Sequence, residues 1–258
     1  MNVIHALSIL VMKELYRRKD FYVVFILTAL ITLILGSINI FNDDKIVRYL
    51  KEICLLTIWT AMLVISMALT ARQIPSEREQ RTLFPLLAKP VSRHQLILGK
   101  FLGCWLATGI ALGIFYLFFI LITASKETDF AVVRYLQAIW LHWWMLGIVI
   151  SLTLLGSVIF AAPSSNFTIT FLVVVGILLL GRHLHKVAMQ LPEPSQTIIS
   201  TVYFMIPHLE FFDIRDMVVN NQPLIPWMPI LLASLYAAAY ITLFLSMACL
   251  AFRRQILK

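Results

Sequence analysis

Long apolar runs alternate along this chain with short polar clusters, at spacings that suit helices crossing a bilayer. Residues 21–40 carry no charge; as a helix they extend about 30 Å, enough to cross the hydrocarbon. Residues 53–71 give a second span, 101–123 a third, 135–162 a fourth, 167–181 a fifth and 226–252 a sixth. The fourth is long for one crossing and is expected to tilt or protrude. The fifth is short. Pro163-Ser164-Ser165-Asn166 reads as a turn between them.

Residues 1–20 form a different kind of element. Val3, Ile4, Leu7, Leu10, Val11 and Leu15 recur at helical spacing, with His5 and Lys13 on the other side of the wheel. Ile9 and Met12 lie off the stripe, and Glu14 lies within it. This predicts an amphipathic helix lying in the membrane interface. Residues 182–225 are mixed. An apolar run at 196–206 is too short to span, Pro192, Pro194 and Pro207 punctuate it, and Phe211, Ile214, Met217 and Val218 then repeat at helical spacing. Two short re-entrant helices are expected, packed on the spans or on a second subunit, because backbone at that depth needs protein cover.

Composition agrees with a membrane class. The chain is 60% hydrophobic and 13% charged, with mean hydropathy +0.89; soluble domains carry about 25% charged residues. The fold class is therefore all-α, a single transmembrane domain over residues 1–258. The net charge of +8 is explained by Lys and Arg collecting at one face of the membrane, so no nucleic-acid partner is expected. Thirteen of the 21 Lys/Arg fall in the N-terminal segment, the 72–100 loop and the C-terminus, and eight on the opposite side. That asymmetry puts both termini and the loop in the cytoplasm. Cys54, Cys104 and Cys249 sit in apolar runs without ligand spacing and read as small buried apolar groups.

The 72–100 loop concentrates charge. Ser76 with Glu79, and Ser92 with Gln95, fit capping boxes. Two helices are expected, one over 77–88 that stops before Pro90, and one starting at Arg93 and running into the third span. Leu83, Leu86 and Leu87 supply an apolar face rimmed by Arg78, Glu79 and Arg81, the composition of a protein-docking knob. The alternative is a solvated loop whose leucines pack on the span ends.

This stretch resembles the signature of ABC-2 type transporter permeases. Glu77, Thr82, Leu83, Leu86, Leu87, Pro90, Val91, Ser92, Arg93, Gly99 and Lys100 match that pattern in order and spacing. Lys13-Glu14 with Arg17, Arg18 and Lys19 is also similar, as is the aromatic-rich stretch from Phe204 to Asp213. The NosY-like subgroup of small permeases is the nearest in pattern. Arg81 stands where that family often has glycine, and Pro85 interrupts the first loop helix, where it would kink it. The resemblance implies an exporter subunit in a bacterial inner membrane. A second permease copy or a related permease would complete the membrane pair, and two cytoplasmic ATPases carrying ATP and Mg would drive it. It further implies ATPase coupling through Glu77, Glu79, Arg81, Thr82, Leu83, Leu86, Leu87, Pro90, Ser92, Arg93, Lys13 and Glu14.

The chain has no GxxxxGK[ST] loop, so ATP is expected to act through the partner and no cofactor in this chain. With these span boundaries, His142 is the one ionisable residue inside a span. The shortage of buried carboxylates argues against ion coupling and suits an apolar path for lipid-like cargo. His142 beside Trp140, Trp143 and Trp144 reads as an interfacial aromatic belt. His183, His185 and His208 lack accompanying acidic or Cys ligands at ligand spacing, so no metal site is expected. The rival readings are an intramembrane hydrolase and a scaffold or receptor. Ser151 and His142, nine residues apart on one helix, are separated by about 13 Å and cannot hydrogen-bond.

Overall fold

The computed structural model describes residues 3–17, 22, 26, 30, 33–34, 44–79, 92–124, 131–188 and 192–254. The described residues contain helices and no strand. We label the helices α1 Val3–Arg17, α2 Asp44–Ala71, α3 Pro75–Glu79, α4 Arg93–Ala124 and α5 Val132–Ile159. They continue as α6 Pro163–Ala188, α7 Ser195–Met205, a 3-10 turn Leu209–Phe212, α8 Arg215–Val219 and α9 Trp227–Arg254. Four of them are long and apolar enough to cross a membrane: α2 with its α3 extension, α4, α5 and α9. The expected first span lies mostly outside the described residues; Tyr22, Ile26, Leu30, Leu33 and Ile34 are helical and exposed.

Several helix boundaries differ from the sequence reading. α2 begins at Asp44, not at 53. Apolar run length marks hydrocarbon, but a helix continues through polar turns when their side chains find partners. α6 spans Pro163–Ala188 and is longer than the expected 167–181. Pro163 opens that helix, where proline's missing N–H is harmless. The turn falls earlier, at Phe160, whose extended φ −86°, ψ 140° ends α5. The helix expected from Phe211 to Val218 is broken into the 3-10 turn and α8.

α5 is the central helix and packs on α2, α4, α6 and α9. Its contact with α4 rests on a reciprocal arrangement. Trp105 and Trp143 stack with ring centroids 4.4 Å apart. Trp105 Nε1 donates to the Trp143 carbonyl at 3.1 Å, and Trp143 Nε1 donates to the Trp105 carbonyl at 3.0 Å. Each indole lies over a glycine of the opposite helix, four residues after the other tryptophan. A Cβ on Gly109 would come 2.5 Å from Trp143 Nε1, and one on Gly147 would come 3.0 Å from Trp105 Nε1. The pair therefore needs both W-x-x-x-G segments, since each glycine makes room for the partner indole. This overturns the belt reading for Trp143. It does so for His142 too, which is 2% exposed, faces Tyr116 and Trp59, and among the described residues has no hydrogen-bond partner on either ring nitrogen.

α1 packs along the first half of α4. Leu7 and Val11 are buried there, whereas Leu10, expected on the same stripe, is 52% exposed. The approach is close: a Cβ on Gly103 would lie 2.7 Å from Val11 Cβ. Between α5 and α9 the helices leave an apolar groove of about 890 Å³ lined by Leu136, Trp140, Trp227, Leu231 and Leu235 among others.

Gly109 and Gly113 give a matched test of the tryptophan pair, because a Cβ on Gly113 meets nothing within 4 Å among the described residues. Gly109→Ala is expected to displace the Trp143 indole and cost about 1–3 kcal/mol, seen as a lower thermal midpoint of the full chain in detergent. Gly113→Ala is expected to be neutral or to stabilise by up to about 1 kcal/mol, by helix propensity alone. Equal behaviour of the two variants contradicts the arrangement.

Candidate functional site

The last carbonyls of a helix have no partner within the helix, and in an apolar setting each must find one elsewhere. At one end of the bundle three helices terminate together, and a donor from another element meets each. Asn166 Nδ2 of α6 reaches the carbonyl of Ala71, the last residue of α2, at 3.3 Å, and that of Thr153 at 3.1 Å. Arg78 Nη2 of α3 donates to Val158 O in the last turn of α5 at 3.1 Å. Arg93 Nη1, at the start of α4, donates to Phe252 O at 2.6 Å and Arg253 O at 3.1 Å at the end of α9. Its guanidinium also lies 5.5 Å from the Phe252 ring centroid. A cation suits this position because the helix dipole leaves its C-terminus negative.

The same end holds a buried ion pair. Lys100 of α4, 3% exposed, meets Glu77 of α3, 15% exposed, with Nζ 2.5 Å from Oε1. The pair draws α3 against the first turns of α4. Ser8 of α1 donates its hydroxyl to Gly99 O, one residue before Lys100, at 3.2 Å. α1, α2, α3, α4, α5, α6 and α9 are thereby joined at one end, around the segment that links α3 to α4.

The expected coupling residues divide accordingly. Glu77 and Arg93 are brought into this network. Glu79 is exposed at the end of α3, and Lys13 is exposed on α1. Glu14 lies in α1. Ser92 caps α4 as expected: its N–H donates to Gln95 Oε1 at 3.0 Å, and Gln95 N–H donates to Ser92 Oγ at 3.2 Å. The Ser76–Glu79 box does not form. α3 starts two residues earlier, at Pro75, and the Ser76 hydroxyl donates back to Arg72 O within the helical turn, the usual alternative for a serine inside a helix. Arg81, Thr82, Leu83, Leu86, Leu87 and Pro90 lie outside the described residues, as do Pro85 and the rest of the expected 77–88 helix beyond Glu79.

Sequence reasoning placed Arg78 on the rim of the loop's apolar face and Lys100 in the family motif without foreseeing their partners, and gave Asn166 and Ser8 no part in the site. Lys100 carried a signal, a lysine at the very edge of an apolar run. Asn166 looked like a turn residue because its partners are distant in sequence.

At the opposite end, residues 207–225 are tied into the bundle. The Gln137 amide pairs with Ile225, donating to its carbonyl at 2.9 Å and accepting from its N–H at 3.2 Å. Tyr236 OH accepts from His208 N–H at 2.9 Å. Asp213 accepts two hydrogen bonds from Arg215, at 2.7 and 2.8 Å, and this contact raises the guanidinium pKa further above its ordinary value. The Arg215 guanidinium sits 4.7 Å from the Trp59 ring centroid. Lys51 and Arg134, charged residues of α2 and α5, are buried. The helices thus enclose ionisable groups that the shorter spans had excluded. Among the described residues no cluster of His, Cys, Asp or Glu could hold a metal. His208 instead stacks on Phe211 at 5.3 Å. The hydrolase dyad is not assembled: the Ser151 hydroxyl donates to Ile148 O at 2.8 Å, within its own helix.

The ion pair yields a direct test. Glu77→Gln leaves Lys100 buried beside a neutral amide and is expected to destabilise the chain by about 3–5 kcal/mol. Combining it with Lys100→Met removes the stranded charge, and most of that loss is expected to be recovered in thermal unfolding. A double variant as unstable as the single one would show that the pair does not hold α3 to α4.

A family model of ABC-2 family transporter proteins matches residues 4–257. No individual curated protein matches the sequence. The match covers nearly the whole chain and joins the docked α3–α4 region, the four long apolar helices and the short helices before α9 in one family pattern. The chain is a multi-pass membrane protein that belongs to the ABC-2 family of transporter proteins.

Proposed function

We propose that this chain is the permease subunit of an ATP-driven exporter of the NosY-like subgroup. In this reading two permeases, identical or related, pair in a bacterial inner membrane. Both termini and the 72–100 segment face the cytoplasm, where two ATPase subunits bind ATP and Mg. Six spans cross the bilayer, α1 lies along its inner interface, and residues 195–219 dip back from the outer side.

The observation that carries the reading is the bracketing of residues 80–91. Arg78, just before them, is bonded to the end of α5, and Arg93, just after them, is bonded to the end of α9. A partner that grips residues 80–91 would pull on two long helices at once, through charge-assisted hydrogen bonds that shift as a unit. Glu77–Lys100 passes the same displacement to α4, and Ser8 passes it to α1. Such an arrangement suits a transmitter of force. The charge asymmetry supports the cytoplasmic placement, and the absence of a Walker A loop in the sequence supports a separate motor.

Affinity purification in mild detergent is expected to recover a stoichiometric ATPase subunit; a scaffold or receptor would bring none. In that complex Glu79→Arg, Thr82→Pro and Arg93→Met are expected to leave membrane insertion intact and to lower transport per ATP hydrolysed. Normal transport by all three would remove the transmitter role from this segment.

A further inference from the structure

We propose that a cavity between α6 and residues 203–208 binds an apolar molecule bearing a carbonyl group, whose oxygen accepts a hydrogen bond from His208 Nε2. The cavity measures about 260 Å³. Val173, Gly176 and Ile177 of α6 line one side, and Tyr203, Ile206 and His208 line the other. The three α6 residues stand at i, i+3 and i+4, so they share one face of that helix. Gly176 keeps the wall open: a Cβ there would meet nothing within 4 Å among the described residues.

His208 is 9% exposed and its ring is held on several sides. Tyr203 meets it edge-on with centroids 4.3 Å apart, and Phe211 stacks on it at 5.3 Å. Nδ1 lies 3.0 Å from Tyr236 OH of α9, and that hydroxyl already accepts from His208 N–H at 2.9 Å. The hydroxyl's own proton is then left for Nδ1, which makes Nδ1 the acceptor and puts the proton of the neutral ring on Nε2. Burial lowers the imidazole pKa below its ordinary value, with Glu210 raising it in part, so the neutral ring prevails at neutral pH. Nδ1 faces α9, so the Nε2 edge faces away from α9, on the side of the cavity. Nε2 has no hydrogen-bond partner among the described residues.

A donor withdrawn from water without an acceptor is costly, so this edge calls for one. Water is a poor occupant, because it needs two to four polar partners and the walls are almost wholly apolar. An apolar frame with one acceptor matches both the walls and the donor. A dry cavity of about 150 Å³ holds benzene, so this one has room for a substituted ring or a short stretch of acyl chain. The carbonyl can belong to a free ketone or ester, or to the ester linkage of a membrane lipid; the site reads the shared chemistry. The proposal is independent of the motor reading, since it needs no ATPase.

The full chain is purified in neutral detergent and its thermal midpoint titrated with acetophenone and with isopropenylbenzene, at matched free concentrations. The two share a shape, and only the ketone carries the acceptor. The midpoint is also measured in nanodiscs of ester-linked and of ether-linked phosphatidylcholine. The ketone is expected to act at about five-fold lower concentration than its isostere, the worth of one net hydrogen bond. That preference without a difference between the nanodiscs assigns a free molecule; a higher midpoint in the ester-linked nanodiscs assigns the lipid linkage. His208→Asn keeps an acceptor near the Nδ1 position for Tyr236 and removes the Nε2 donor, so it is expected to abolish whichever preference the native chain shows. Gly176→Leu puts a side chain into the open space and is expected to abolish the ketone response and the ester preference alike; it decides the matter if His208→Asn fails to fold. An unchanged response in either folded variant would overturn the site. So would a native chain that distinguishes neither the two ligands nor the two lipids.

Discussion

Polar groups withdrawn from water must be satisfied inside the chain, and this constraint organises the molecule. In a bundle of long apolar helices the backbone bonds of the helix interiors take care of themselves; the ends do not. Asn166, Arg78 and Arg93 each meet carbonyls where another helix stops. The tryptophan pair obeys the same rule in mid-helix: each indole N–H is satisfied by the opposite backbone, and each ring occupies the space left by the opposite glycine. Because α5 takes part in the pair and in the Arg78 contact, its position follows from both.

The two ends spend their charge differently. Near the 72–100 segment, Glu77 and Lys100 neutralise each other, and the two arginines are committed to helix carbonyls. This is a mechanical use of charge, joining elements that would otherwise touch only through apolar side chains. At the opposite end Asp213 neutralises Arg215, and Lys51 and Arg134 both donate to Asn221. That end has a polar interior wrapped in apolar helices. It makes the enclosed face of the bundle chemically richer than its apolar exterior, where Leu231, Leu232 and Leu235 of α9 are more than half exposed.

How much was legible followed from the range of each interaction. The all-helical class, the second, third, fourth and sixth spans and the Ser92–Gln95 box are local properties. They depend on run length and on contacts within one turn. The boundaries moved at α2 and α6, where Lys51 and Asn166, residues outside the expected spans, find partners far away in sequence. Lys51 lies 170 residues from Asn221, and Asn166 lies 95 from Ala71. Ser76 looked like a cap because S-x-x-E is a local pattern. It failed because the preceding turn was already helical enough to accept the hydroxyl. The 72–100 segment was recognisable as a site through its motif, but the caps that tie it to α5 and α9 were not.

The amino-acid sequence by itself determined that this chain is a helical membrane protein of the ABC-2 family, where its long apolar helices run, and which segment carries the family motif. Those properties are written in hydropathy and short motifs, which act within a turn or a run. Only the tertiary structure decided that His142 is interior, that two W-x-x-x-G segments interlock, and that Arg78 and Arg93 cap α5 and α9. It also decided that Lys51 and Arg134 meet at Asn221. Each of these needs two helices at a particular rotation and height, and that relation is set by the packing of the whole bundle.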